Sequence, residues 1–177
     1  MAPRIYLVPI HLDSVEWMDR LQAGVERAFG VRTECRNHPV DLSLAFDPVR
    51  KQYRSSILLA QLIAHPPADT LKILGITDVD LFIPVLTYVF GEAQLDGIGA
   101  VVSIHRLKNS FYGLSEDNER MVERLVKEAV HELGHTFGLF HCTRAGCAMN
   151  ASPYVEDIDQ KSDTLCIECR RAIGLEG

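Results

Sequence analysis

His131, Glu132, His135, Gly138 and His141 fall in the pattern H-E-x-x-H-x-x-G-x-x-H. His131 and His135 are four residues apart, so on a helix both imidazoles project from one face, a turn apart. Two ring nitrogens so placed can hold a zinc ion at ~2.0–2.1 Å each. Glu132 stands beside the first of them, angled to reach a metal-bound water without ligating. Gly138 lets the chain turn sharply and return His141 as a third ligand. A fourth coordination position then stays open, which separates a catalytic zinc from a closed structural one. The chemistry such a group performs is hydrolysis: the metal lowers its water's pKa from ~15.7 towards 7, and Glu132 acts as general base.

A second constellation begins at the next residue. Cys142 and Cys147 form one short-spaced pair, and Cys166 and Cys169 form a C-x-x-C knuckle. Four thiolates in two such pairs match a tetrahedral structural zinc with ~2.3 Å bonds. The alternatives are a redox pair or two disulfides. A redox C-x-x-C belongs to a thioredoxin-like strand-to-helix setting, which is absent here. Disulfides require an oxidising compartment, and the N-terminus has only Arg4 before an apolar stretch broken by Pro9 and Asp13, so no secretory signal is expected. The expected cofactors are therefore two zinc ions per chain, one catalytic and one structural, in a cytoplasmic protein.

The chain around these residues has 177 positions, 47% of them apolar, and a formal charge of −6. That length fits one domain able to bury a real core. No apolar run approaches the ~18 residues of a membrane span, and an acidic chain lacks the basic face that phosphate-backbone binding needs. Neither a membrane nor a nucleic acid is an expected partner, and a monomer is expected. Arg170 and Arg171 are too few to form a basic patch.

The elements that must position the ligands can be read from periodicity. Arg4–Ile10 has the composition of a strand near an edge. Ser14–Phe29 is helical in spacing, with Asp13 or Ser14 as cap and Gly30 as stop. Val31–Cys35 is a short strand, and Asp47–Ala64 reads as a helix opened by Asp47 and Pro48. Lys72–Thr77 and Leu81–Ile83 read as buried strand, then Thr87–Gln94 and Ile98–Leu107 as an antiparallel pair joined by the turn Leu95-Asp96-Gly97. The order predicts an α/β (α+β) fold with a mixed sheet and packed helices. The longest helix, capped by Ser115, carries an apolar stripe from Met121 to Phe137. Its opposite face carries Arg120, Glu123, Arg124, Lys127 and Glu128.

The full set His131, Glu132, His135, Gly138, His141, Cys142, Cys147, Met149, Cys166 and Cys169 resembles the signature of the archaemetzincins, a branch of the metzincin metallopeptidases. The stretches 74–97 and 100–107 resemble that family too, so the likeness is strong over residues 72–170 and only general before them. No motif position is missing. The resemblance implies a metzincin-like zincin fold: an upper subdomain with twisted mixed sheet and active-site helix (1–138), and a small zinc-stapled lower subdomain (139–177). It implies that Met149 is an apolar floor beneath the three histidines. It also implies an antiparallel edge strand that pairs with extended substrate, for which Ile98–Ser103 is the candidate.

Tyr154 lies five residues beyond Met149, a spacing unlike that of the metal-proximal tyrosine of other metzincins, and is expected at most as a pocket wall or hydrogen-bond donor. His11, His38, His65 and His105 are expected to be structural or surface residues, and Cys35 a buried small side chain. The function expected is zinc-dependent hydrolysis of peptide bonds in a peptide or protein substrate. Two rivals remain: a zinc-bound peptide-binding or regulatory protein with little turnover, and a nucleic-acid module built on the cysteine zinc, which the −6 charge disfavours.

Overall fold

The first strand, β1 (Arg4–Ile10), divides its side chains between two cores: Ile5 and Leu7 enter one, Tyr6, Val8 and Ile10 the other. That split marks a sheet covered on both faces. The computed structural model describes residues 2–175. In chain order β1 is followed by α1 (Met18–Phe29), β2 (Thr33–Cys35), β3 (Phe46–Asp47), β4 (Gln52–Arg54), α2 (Ser55–Ala64), β5 (Thr70–Thr77) and β6 (Leu81–Phe82). Then come β7 (Gly91–Ala93), β8 (Gly99–Ser103), α3 (Asn118–Thr136), α4 (Val155–Gln160) and α5 (Ile167–Ala172).

The main sheet has the order β2-β1-β5-β8-β7, parallel except for β7, which runs antiparallel to β8. A small sheet, β3-β4-β6, lies apart from it. One core packs α1 and α3 on the main sheet and continues into Met149, Val155, Ile158, Leu165 and Cys169. The second core packs α2 on the other face. The two helices on the first face approach closely at Gly24, where an added Cβ would fall 2.4 Å from Val126 Cγ1.

Four local expectations are corrected. The segment Ile98–Ser103 is not an edge: β8 is buried throughout between β5 and β7, and the antiparallel edge is β7. Residues 46–54 form the β3–β4 hairpin before the helix begins, because Asp47 accepts the N–H groups of Val49 and Arg50 and Lys51 takes a left-handed φ of 55°. The cap of α3 is Asp117, whose carboxylate accepts the Arg120 N–H at 2.9 Å, and not Ser115. Helix α1 starts at Met18, after a turn in which the Met18 N–H reaches Val15 O.

Candidate metal centres and active site

Helix α3 brings His131 and His135 to one face, and their Nε2 atoms lie 3.2 Å apart. Two nitrogens bound to one tetrahedral zinc at ~2.0–2.1 Å would sit about 3.3 Å apart, so the spacing fits a shared ion. The Nδ1 atoms are turned outward, where His131 donates to Ala148 O at 2.9 Å and His135 to Leu139 O at 2.7 Å. A ring that donates from Nδ1 keeps the Nε2 lone pair for a metal. Burial, and then the nearby Lys161 cation, push His131 down to about 2, so it is neutral and able to ligate at any physiological pH. Burial likewise lowers His135.

His141 arrives by the loop after α3. Gly138 adopts φ 91°, a conformation that side-chain-bearing residues rarely take, and this turn swings the chain back. The ligand atoms of His131, His135 and His141 all lie within 4.8 Å of one another. Gly134 has a separate reason for lacking a side chain: a Cβ there would lie 2.4 Å from Met149 Sδ. Met149 is fully buried against the helix that carries the first two histidines.

Glu132 is buried, and its carboxyl is pushed well above the usual range by burial first and by the Glu128 carboxylate next. Its side chain lies beneath the edge strand. A Cβ on Gly91 would stand 2.8 Å from Glu132 Oε1 and 2.6 Å from Val101 O. Edge and helix are pinned together at the β7–β8 turn, where the Asp96 N–H donates to His135 O at 2.9 Å. The buried Lys72 ammonium donates to Gly97 O and Thr136 O, both at 2.7 Å.

A cleft of about 510 Å³ opens over these groups. One wall is the segment from Leu86 to Gly91, the other runs from Ala151 to Tyr154, and Glu128, His131, Glu132 and His141 line it between them. Arg50 holds the first wall by donating to Leu86 O and Thr87 O, and Tyr88 ties the walls together by donating to Pro153 O. Above the cleft, Phe90 O and the Gln94 N–H bond to β8, so antiparallel alternation turns the backbone groups of Gly91 and Ala93 outward.

The four cysteines form the second cluster, again with all ligand atoms within 4.8 Å. Cys142 and Cys166 Sγ are 3.8 Å apart, as are Cys147 and Cys169 Sγ. That is the edge of a tetrahedron with ~2.3 Å zinc–sulfur bonds, about 3.8 Å, and far beyond the ~2.05 Å of a disulfide. The Arg144 and Cys166 N–H groups point at Cys142 and Cys147 Sγ at 3.4 Å. Such amide donors suit thiolates. Among the described residues these are the two groups able to hold a metal.

The sequence is similar along most of its length to proteins of one kind. The family model described as peptidase family M54 matches residues 31–174. The chain belongs to the archaemetzincin family. The archaemetzincin of Thermococcus kodakarensis is 42% identical over 130 residues, which cover 73% of this chain and 70% of that one. The archaemetzincin of Methanocaldococcus jannaschii is 34% identical over 175 residues, 98% of this chain and 94% of that one, so the likeness runs well before residue 72. A crystal structure of the Methanopyrus kandleri archaemetzincin matches with a TM-score of 0.85 at 34% identity, covering 97% of this chain and 93% of that one. The Archaeoglobus fulgidus archaemetzincin, complexed with malonate, matches with a TM-score of 0.80 at 35% identity, over 96% and 99% of the two chains. As a member of this family the chain is a zinc metallopeptidase acting on peptide substrates, with a mixed α/β fold.

The other residues singled out from the sequence fall away from the centres. His11 and His38 bond to the carbonyls of Val40 and Gln61, and His105 to Asp78 O. Cys35 is exposed on β2, an outer strand, and not buried. Tyr154 does line the cleft. Sequence reading missed Gly91, Arg50 and Tyr88, and it placed Arg124 and Glu128 only on the face opposite the apolar stripe, where they are nonetheless 4% and 3% exposed. For Glu128 a signal existed, since it precedes His131 by three residues and so shares its face.

Proposed function

We propose that His131, His135 and His141 hold a catalytic zinc ion, that Cys142, Cys147, Cys166 and Cys169 hold a structural one, and that Glu132 is the general base of peptide-bond hydrolysis. The observation that carries this reading is the convergence of three imidazoles, two of them lining a cleft beneath an open sheet edge together with the buried Glu132 carboxyl. The ion, when bound, supplies Lewis-acid polarisation of the scissile carbonyl and an acidified water.

The chain's own groups do the rest. His131 and His135 offer Nε2 because their Nδ1 protons are engaged by Ala148 O and Leu139 O. Glu132 takes the proton of the attacking water on its carboxylate and hands it to the departing amine. Its raised proton affinity in a buried site favours the taking. An extended substrate pairs with the outward backbone groups of Gly91 and Ala93, a mode of binding tolerant of side-chain sequence.

The four thiols stay available to a metal in a reducing compartment, which supports a cytoplasmic location. We also propose a monomer without nucleic-acid or membrane partners; among the described residues no helix is long and apolar enough to cross a membrane. The test of the reaction is hydrolysis of a mixed peptide library by the zinc-loaded protein and by Glu132→Gln. Cleavage by the first and a loss of about 10²–10⁴-fold in the second are expected. Identical behaviour of the two would rule the base out.

A further inference from the structure

Lys161 approaches the metal cage from the far side of His131. Its side chain is 1% exposed, and its Nζ lies 2.7 Å from Glu128 Oε1, 3.2 Å from Asn150 O and 3.3 Å from His131 Nδ1. The contact with Glu128 is one of charge, because the geometry at Oε1 falls outside that of a hydrogen bond. In so dry a place charge attraction is strong. His131 Nδ1 therefore has two neighbours with opposite demands. Ala148 O, at 2.9 Å, can only accept a hydrogen. The Lys161 ammonium can only donate one.

These demands lead to different tautomers. With the proton on Nδ1 and given to Ala148 O, Nε2 presents a lone pair towards the Nε2 of His135, 3.2 Å away. If Lys161 donates to Nδ1 instead, the ring proton moves to Nε2 and the ligating lone pair is lost. Glu128 sits one turn before His131 on α3 and makes the shortest of the three ammonium contacts.

We propose that Glu128 is a positioning residue for His131: by drawing the Lys161 ammonium towards itself, at 2.7 Å against 3.3 Å to Nδ1, it weakens that donor's claim on Nδ1 and favours the metal-binding tautomer. The inference rests on His131 being a zinc ligand, and it concerns the family's site only through this pair on α3 and the segment after α4. Glu128 does not touch the reacting atoms in this role. Its part is to decide where one hydrogen sits.

The experiment is a chelator competition that reads the two zinc affinities separately in wild type, Glu128→Gln and Glu128→Gln/Lys161→Met. Glu128→Gln keeps the side-chain shape and removes its charge. It should weaken the weaker-held, histidine-site zinc about 10–100-fold, the range for groups that orient a ligand, and leave the cysteine-site zinc unchanged. Lys161→Met in the same chain removes the competing donor and should restore the histidine-site affinity. Nitrogen chemical shifts of His131, with the cysteine site still loaded, should show Nδ1–H in wild type and Nε2–H in Glu128→Gln.

Unchanged affinity in Glu128→Gln would overturn the proposal. So would a loss that Lys161→Met fails to restore, or loss of both ions from both variants, which would make the pair a support of the whole fold. A wild-type chain that binds no zinc at its histidines would refute the underlying metal assignment instead, and is recognised before any variant is compared.

Discussion

The two cages differ in what builds them. Two of the three histidines come from one 19-residue helix that is buried along most of its length, and backbone carbonyls fix their rings at 2.7 and 2.9 Å. The four cysteines come from an irregular loop and from the start of α5, which has only six residues. Helices that short are not stable by themselves. On the proposed assignment the histidine cage is held by secondary structure and its ion would serve chemistry, whereas the cysteine cage, with so little secondary structure of its own, would depend on its ion for shape. The contrast teaches that one kind of metal site would serve chemistry and the other structure, with the difference set by how much regular secondary structure carries the ligands.

Breaking the cysteine cage should therefore have the largest effect. Structural zinc contributes on the order of 10 kcal/mol in small domains. Cys166→Ser is expected to lose one zinc and to unfold the segment after His141 at moderate temperature, seen as a lowered thermal midpoint and rapid amide exchange there. His135→Ala is expected to lose the other zinc and all hydrolysis while the midpoint falls by only about 2–4 °C per kcal/mol of lost packing. Equal destabilisation by the two changes would erase the distinction between the cages.

Smaller effects sharpen it. Gly134→Ala forces a methyl against the Met149 thioether and is expected to destabilise by about 1–3 kcal/mol, as overpacking does, while also weakening histidine-site zinc. Gly91→Ala puts a methyl against both Glu132 and Val101 O. It should lower kcat through displacement of the Glu132 carboxylate, with both zinc ions retained by elemental analysis. The smallest effect concerns the joint between the regions. Hydrogen bonds from Arg124, at 2.7 Å to each oxygen, hold Asp159 below its usual pKa. A depressed carboxylate adds stability above its unfolded pKa of ~3.9, lost as pH falls through the folded value. Asp159→Asn should accordingly flatten the acid limb of the stability profile below pH ~4.

The same contrast decides what the sequence could reveal. The histidines and cysteines were legible because their geometry is local: an i, i+4 spacing on a helix and short thiol pairs constrain the ligand atoms directly. The burial of Arg124 and Glu128 on the face opposite the apolar stripe was not legible because their partners, Asp159 and Lys161, lie more than thirty positions along the chain. The antiparallel edge was assigned to the wrong strand of its hairpin for a related reason. Turn chemistry at Leu95-Asp96-Gly97 gives the pairing of β7 with β8, but only the pairing of β8 with the distant β5 decides which of them is outermost. The β3–β4 hairpin was hidden by Asp47-Pro48, which opens helices and tight turns equally well. Gly91 carries no motif, and its need is visible only once Glu132 lies beneath it.

The division between the cages is tested most directly by a single titration of the zinc-loaded protein with a chelator, following metal content, peptide hydrolysis and thermal midpoint on the same samples. The histidine cage has an exposed third ligand and should release its ion first. Hydrolysis should vanish with that first ion while the midpoint stays nearly constant, and the midpoint should collapse only with the second. Hydrolysis that survives the first loss, or that fails only together with the fold, would contradict the division of one cage for chemistry and one for structure.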